Sequence, residues 1–200
     1  MAIKSLARSS ILQPQETRFA LAGYQTNMFH HLETVRLSSS ASTVEFTNLN
    51  QYSDYQHLQV RYVVRSGLAD VVDELFIYLN GDTGSNYANH YLRSNGSAVQ
   101  SNAFTSYSKL YDAGNTITGA SAPANSFGVG VLDILDPFET TKYTTTRTLG
   151  GSPYSAAGYV ALNSGLWMNT AALTSIEFDL PSSTFVSGSR FSLYGLKVRA

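Results

Sequence analysis

The sequence predicts an all-β protein, a two-sheet sandwich of jelly-roll type with an extended N-terminal arm, and three observations lead there. Val71–Leu79 is a strong strand run, and the turn-forming stretch Asn80-Gly-Asp-Thr-Gly-Ser-Asn-Tyr87 follows it with no helical segment between them. The same grammar repeats along the chain as short runs of Val, Ile, Tyr, Phe and Thr broken by Asn, Gly, Ser and Asp. These runs amount to about eight to ten strands, and the late ones can pair back with the early ones, as a jelly roll requires.

Residues 1–30 mix single apolar positions with Pro14, Gly23, Gln and Asn, and sustain neither a helical period nor strand alternation. They read as an arm, leaving residues 31–200 as the sandwich domain. Ile3, Leu6, Ile11, Leu12, Phe19, Leu21, Met28 and Phe29 are too many large apolar side chains for a solvated linker, so the arm packs on its own body or is buried by a neighbour. Leu32–Leu37 and Thr43–Thr47 open the body; in the second, Val44 and Phe46 share one face while Thr43, Glu45 and Thr47 share the other. His57–Val64 alternates through Leu58, Val60 and Tyr62, and with Leu75–Leu79 it is expected to form a central pair. Tyr87–Arg93 and Ala98–Tyr107 follow around a turn at Gly96.

Ala113–Asn125 is small and polar, which predicts an exposed excursion that could serve as a contact loop. Phe127–Leu135 and Thr140–Thr148 are expected to pair around Asp136-Pro137, because Pro137 lacks the amide donor that one continuous strand would need. The β-branched run Thr140–Thr148 carries Lys142 and Arg147 and suits an edge or a solvent face. Tyr159–Leu162, Leu173–Leu180 and Arg190–Val198 complete the series, with Phe191 and Leu193 on one face of the closing strand.

Composition limits the function classes. Two hundred residues at 43% hydrophobic content can bury one full core, so a single main domain is expected. Only 14% of residues are charged, against roughly 25% in ordinary soluble domains, and Ser, Thr, Asn and Gln carry the polarity instead. A net charge of -1 gives no long-range field for phosphate backbones or anionic lipid, so no nucleic-acid partner is expected. Lys4, Arg8 and Arg18 could touch an acidic protein surface or simply form a solvated end. No segment has the length and apolarity of a signal peptide or a membrane span, so neither secretion nor membrane insertion is expected. Cysteine is absent, which removes disulfides, thiolate nucleophiles and cysteine metal knuckles.

The candidate chemical residues do not converge. Gly81 and Gly84 relieve turn constraints while Asp82 and Asn86 can bond local amides, so the Asn80–Tyr87 stretch reads chiefly as a folding motif. Asp82 with Asp70 or Asp73 matches no complete calcium loop, and Gly81-Asp-Thr-Gly84 lacks the Lys-Ser/Thr ending of a phosphate loop. Trp167, the sole tryptophan, is placed in a Ser164–Thr170 loop, where it covers the end of the core, stacks on a sugar or anchors a protein interface. Tyr24, Tyr52, Tyr55, Tyr87, Tyr91, Tyr107 and Tyr154 are contact residues or strand formers. His30 and His31 would point to opposite sides of a strand, against a compact ligand pair, and His57 and His90 suit ordinary hydrogen bonding. No nucleophile elbow selects a serine, and Asp70, Asp73 and Glu74 do not by their spacing form an opposed acid and base. Accordingly no catalytic, cofactor-binding or metal-ligating residue is assigned, and no enzyme activity is expected.

The ordered series Thr43-Val-Glu-Phe-Thr-Asn-Leu49, Asn80–Tyr87, Leu162–Phe178 and Phe191–Lys197 resembles a β-rich module of tailed-bacteriophage virion proteins, often described only as virion structural or tail-fibre proteins. The resemblance covers roughly residues 42–198 and does not extend into the arm. It implies a noncatalytic role in assembly or surface exposure, with copies repeated on a particle. The expectation drawn from it is a capsid-decorating or cement-like protein on the outer capsid surface. Its partners would be the major capsid protein or other virion proteins, and it would form a homo-oligomer, with a trimer as one form. The alternative is a tail or fibre component that recognises host polysaccharide.

Overall fold

A computed structural model describes residues 28–153 and 158–197. Twelve strands occur among them: β1 (Phe29–Arg36), β2 (Thr43–Phe46), β3 (His57–Val64), β4 (Val72–Leu79), β5 (Tyr87–Ser94), β6 (Val99–Tyr107), β7 (Leu110–Thr118), β8 (Gly128–Leu135), β9 (Thr144–Ser152), β10 (Tyr159–Trp167), β11 (Ile176–Asp179) and β12 (Arg190–Leu196). They form two antiparallel sheets, an eight-stranded one in the order β1-β12-β3-β8-β9-β10-β5-β6 and a four-stranded one in the order β2-β11-β4-β7. The sandwich expectation therefore holds. Of the arm, residues 1–27 lie outside the described residues, while Phe29 and His30 already belong to β1, so the body starts slightly earlier than expected.

The topology is that of a jelly roll with two insertions. The subset β1-β12-β3-β8 in the large sheet and β2-β11-β4-β7 in the small one alternates between sheets as two interlocked Greek keys do. The hairpin β5–β6 is inserted between β4 and β7, and β9–β10 between β8 and β11. Both add to the same side of the large sheet, next to β8. The closing strand β12 pairs with both β1 and β3, the late-to-early return that the sequence predicts.

Alternation explains the core of the jelly roll. Leu58, Val60, Tyr62 and Val64 of β3, Leu75, Ile77 and Leu79 of β4, and Phe191 and Leu193 of β12 are all buried. Phe46 and Phe178 from the small sheet meet Tyr62 and Phe191 from the large one, with ring centroids 4.9 Å apart for Phe178–Phe191 and 6.4 Å for both Phe46–Phe178 and Tyr62–Phe178. This tilted and edge-on aromatic cluster joins the two sheets.

Four expectations need correction. β3 and β4 are not a central pair; they lie in different sheets, because consecutive strands of a jelly roll cross between layers. The predicted excursion Ala113–Asn125 begins inside β7, where Thr116, Ile117 and Thr118 are fully buried. Thr144–Ser152 is an interior strand between β8 and β10, not an edge; Arg147 takes the solvent face that is the other expectation, while threonines 144, 146 and 148 face inward. Trp167 ends β10 instead of sitting in a loop, although it is buried as a core cover should be.

The remaining 119–127 connection is held at its start by backbone bonds from Ala120 to Leu68 and from Ser121 to Asp70, and along its length by one cation. The Arg65 guanidinium donates to the carbonyls of Ser126 (2.7 Å), Pro123 (2.8 Å), Ala122 (2.9 Å) and Ala120 (3.1 Å). A lysine ammonium has three donors on a point charge and cannot reproduce that fork. Arg65→Lys should therefore destabilise the fold by about 2 kcal/mol, close to Arg65→Ala, as read by chemical denaturation. Full recovery by lysine would show that charge alone holds the loop.

Candidate interaction surface

The surface begins with the position of β7. This strand closes the small sheet and packs directly over β8, β9 and β10. A Cβ on Gly128 of β8 would lie 1.9 Å from the Thr116 carbonyl oxygen, and one on Gly165 of β10 would lie 2.4 Å from Thr146 Oγ1 and 2.7 Å from Leu110 Cδ2. Backbone approach this close leaves room inward only for glycine or short side chains. The inward positions here are accordingly Thr144, Thr146, Thr148, Gly150 and Ser152 on β9 and Ala161, Asn163 and Gly165 on β10. Asn89 of β5 acts as a surrogate strand: its amide nitrogen donates to the Lys109 carbonyl (3.1 Å) and its amide oxygen accepts from Tyr111 N–H (3.0 Å).

The amphipathicity of this half of the sheet is thereby inverted, with small and polar residues inside and large apolar residues outside. Val129, Leu149, Val160, Leu162, Leu92 and Val99 each expose between 46% and 70% of their surface. Strand register places them in two adjacent rows. One row runs Val129, Gly151, Val160, Ser94, Val99, and the other Val131, Leu149, Leu162, Leu92, Ser101. The strip crosses five strands, roughly 20 Å. The next row is polar, running Asp133, Arg147, Ser164, His90, Ala103, and in it Arg147 pairs with Asp133 at 2.7 Å. A contiguous apolar strip with a polar border has the anatomy of a protein contact.

A second surface lies on the inner side of the β5–β6 hairpin beside β7. The rings of Tyr91, Phe104, Tyr107, Tyr111 and Phe76 follow one another, with centroids 6.1 Å apart for Tyr91–Phe104, 5.2 Å for Phe104–Tyr107, 5.9 Å for Phe104–Tyr111 and 5.6 Å for Phe76–Tyr111. Arg93 lies 5.3 Å from the Tyr91 centroid, and the Lys109 ammonium 3.8 Å from that of Phe76. All five rings are half-buried.

The predicted chemical residues have structural partners. Asp82 Oδ1 accepts from Gly84 N–H (2.8 Å), and its Oδ2 accepts from Trp167 Nε1 (2.8 Å) and from the Asn86 amide (2.9 Å). Burial pushes the Asp82 carboxyl up, but these hydrogen bonds outweigh it and hold the group below its ordinary range. Asp70 and Asp73 sit before and at the start of β4, with Asp82 beyond its other end about 25 Å away, so they form no calcium site. Asp73 is buried and accepts from the Ser183 hydroxyl (3.0 Å), while Glu74 on the opposite face accepts from the Tyr111 hydroxyl. Among the described residues no cluster of three or more His, Cys, Asp or Glu could hold a metal.

The histidines are likewise dispersed. His30 packs on Tyr55 and His31 on Tyr194, each with centroids 5.5 Å apart, pointing to opposite sides of β1 as alternation requires. His57 Nδ1 accepts the Asp136 backbone N–H (3.1 Å) beside an open hollow of about 380 Å³ lined by Asp54, Tyr55, Gln56, Asp136, Phe138 and Glu139. Lys142 above all, with Gln56, holds the Asp136 carboxyl below its ordinary range despite partial burial. That carboxylate fastens the β8–β9 corner. Trp167 offers no stacking face, being 1% exposed. Tyr24 and Tyr154 lie outside the described residues.

The outer face of the small sheet is acidic. Glu177 of β11 stands opposite Glu45 of β2, with Asp179 two positions along, and no ion pair among the described residues involves Glu45 or Glu177. Burial, then Glu45, then Asp179 push the Glu177 carboxyl upward. Among the described residues no helix is long and apolar enough to cross a membrane. The chain matches no protein-family model, no curated protein and no solved structure, so the phage resemblance stands on the quoted residues alone.

Two measurements follow from these carboxylates. Because the Asp82 value is depressed on folding, its stabilisation is present above the unfolded carboxylate value near 3.9 and is lost as pH falls through the lower folded value. Asp82→Asn should lose about 1–3 kcal/mol at pH 7, with the gap to wild type closing in acid, as followed by Trp167 fluorescence in urea. A gap independent of pH would remove the charge from the explanation. Glu177 has the opposite sign, since its raised value makes the folded state bind protons more readily. Glu177→Gln should raise stability at pH 7 by about 0.5 kcal/mol, and the gain should fade in thermal melts taken below the raised value.

Proposed function

We propose that the protein is a noncatalytic structural component of a tailed-phage virion, a capsid-decorating or cement-like protein on the outer capsid surface. The observation that carries this reading is the exposed apolar strip across β8, β9, β10, β5 and β6. Folding does not need these side chains outside, and water disfavours them, so a neighbouring protein is their natural cover. Burying the strip against the major capsid protein or another virion protein would add apolar transfer free energy at little ordering cost, because the strip is already held on a rigid sheet. The phage-like residue series supplies the particle. The fold contributes a compatible architecture, since jelly rolls serve capsid and lectin domains alike.

A second reading has its own observation. The aromatic series Tyr91, Phe104, Tyr107, Tyr111 and Phe76, with Arg93 and Lys109 over its rings, favours a tail or fibre component that recognises host polysaccharide. The two surfaces are separate, so one experiment discriminates between them. Cryo-electron microscopy of the phage that encodes the chain should place it over the capsid lattice with Leu149 and Leu162 against a neighbour. Density in the tail would reject the decorating role, and Leu162→Glu particles that retain full occupancy would reject the strip as the contact.

A further inference from the structure

The last strand of the large sheet has no partner on its outer side among the described residues. β6, Val99-Gln-Ser-Asn-Ala-Phe-Thr-Ser-Tyr107, is nine residues long, and seven of its side chains are exposed. It contains no Asp, Glu, Lys, Arg or Pro. Those are the residues that normally protect a free edge from pairing. The other edge of the same sheet is protected, because β1 carries Glu33 and Arg36 and has an irregularity between His31 and Glu33. In the small sheet, β2 has only four residues and includes Glu45, while β7 packs over the large sheet. β6 is thus the long, uncharged edge of the described fold, in regular register from Val99 to Phe104 and bulged only at its far end, between Phe104 and Tyr107.

We propose that β6 pairs antiparallel with β6 of a second copy of this chain, making one continuous sheet across a two-fold axis. Charge favours this occupant. An uncharged strand can face its own reverse with no like charges opposed, and each residue then meets the partner as the partner meets it. Adding β6 instead to the β1 edge of another copy would propagate an open chain of molecules, and the charges and irregularity of β1 oppose it. A two-fold axis perpendicular to the sheet keeps both outer faces on the same side. The apolar strips of the two copies then lie on one face of the continuous sheet, on either side of the axis.

The pairing also explains a hairpin that is poorly covered in the single chain. β5 and β6 expose Leu92 and Val99 outward and leave Tyr91 and Phe104 half-buried inward, whereas an isolated hairpin edge is marginal in water. Edge pairing gives the outward N–H and C=O groups of β6 protein partners without moving the core. The inference rests on the strip as an assembly face and names a second copy as its first partner.

The test uses the full chain in solution, so its failure is distinct from a wrong location on the particle. Sedimentation equilibrium at micromolar concentration should give twice the 21.7 kDa of one chain. Ser101→Lys/Ala103→Lys and Ser101→Glu/Ala103→Glu, both at exposed positions near the strand centre, should each sediment as monomers with unchanged far-UV circular dichroism. Mixing the two should restore a pair more than about tenfold tighter than either variant forms alone, because the repulsion becomes attraction across the axis. A monomeric or trimeric wild type, charged variants that still pair with themselves, or a mixture that stays monomeric would each overturn the proposal.

Discussion

The close approach of β7 to the large sheet is the constraint from which the rest of the structure follows. Where that strand crosses β8 and β10, a Cβ on Gly128 or Gly165 would collide with it, and the neighbouring inward positions are Thr, Ala, Ser or Asn. A sheet with one face filled by small polar groups gains little from burying it by apolar transfer. What holds this region is steric fit and backbone pairing, with Asn89 supplying to β7 the donor and acceptor that a strand would have supplied. The apolar residues of the same strands are left on the outside.

Two halves of one sheet thus obey different rules. Around β1, β12 and β3 the sandwich is conventional, with Tyr62 and Phe191 inward against Phe178 and with Arg61, Ser192 and Thr34 across the outer face. Around β9, β10 and β5 the pattern reverses. The seam between them is β8, whose Leu132 and Ile134 serve the core while Val129 opens the exterior strip. A long-range bond steadies the far end: Trp167 Nε1 donates to Asp82, 85 residues away, joining the end of β10 to the turn that carries the chain from the small sheet into β5.

The conventional half was legible in the sequence because apolar alternation and burial coincide there, which is why His57–Val64 is found with the same bounds as expected. β7 was not, because its central Ala-Gly-Asn looks like loop, and neither its backbone pairing with β4 nor the Asn89 side chain that bonds Lys109 and Tyr111 is visible in sequence order. The threonine run of β9 suggests an edge or a solvent face because polar residues normally face water, and Arg147 does so, whereas threonines 144, 146 and 148 face a neighbouring backbone. Gly165, inside the expected Ser164–Thr170 loop, instead accommodates contact with Leu110 and Thr146 within a strand. The pairing of β3 with β8 and β12 in preference to the consecutive β4 is a property of sheet crossing that periodicity does not encode. The exterior strip could have been suspected from a single signal, the alternation of glycine with valine in Gly128-Val-Gly-Val131.

The two inserted hairpins carry four of the five strands that build the strip, while the aromatic cluster between the sheets draws its rings from β2, β3, β11 and β12. The central aromatic packing and the exposed strip therefore draw on different strands, although Tyr87 of β5 and Trp167 of β10 also enter the core. Outward-facing substitutions in β5, β6, β9 and β10 can change the exposed strip while Phe46, Tyr62, Phe178 and Phe191 remain untouched, so the surface of this sheet can vary without disturbing the aromatic joint between the layers.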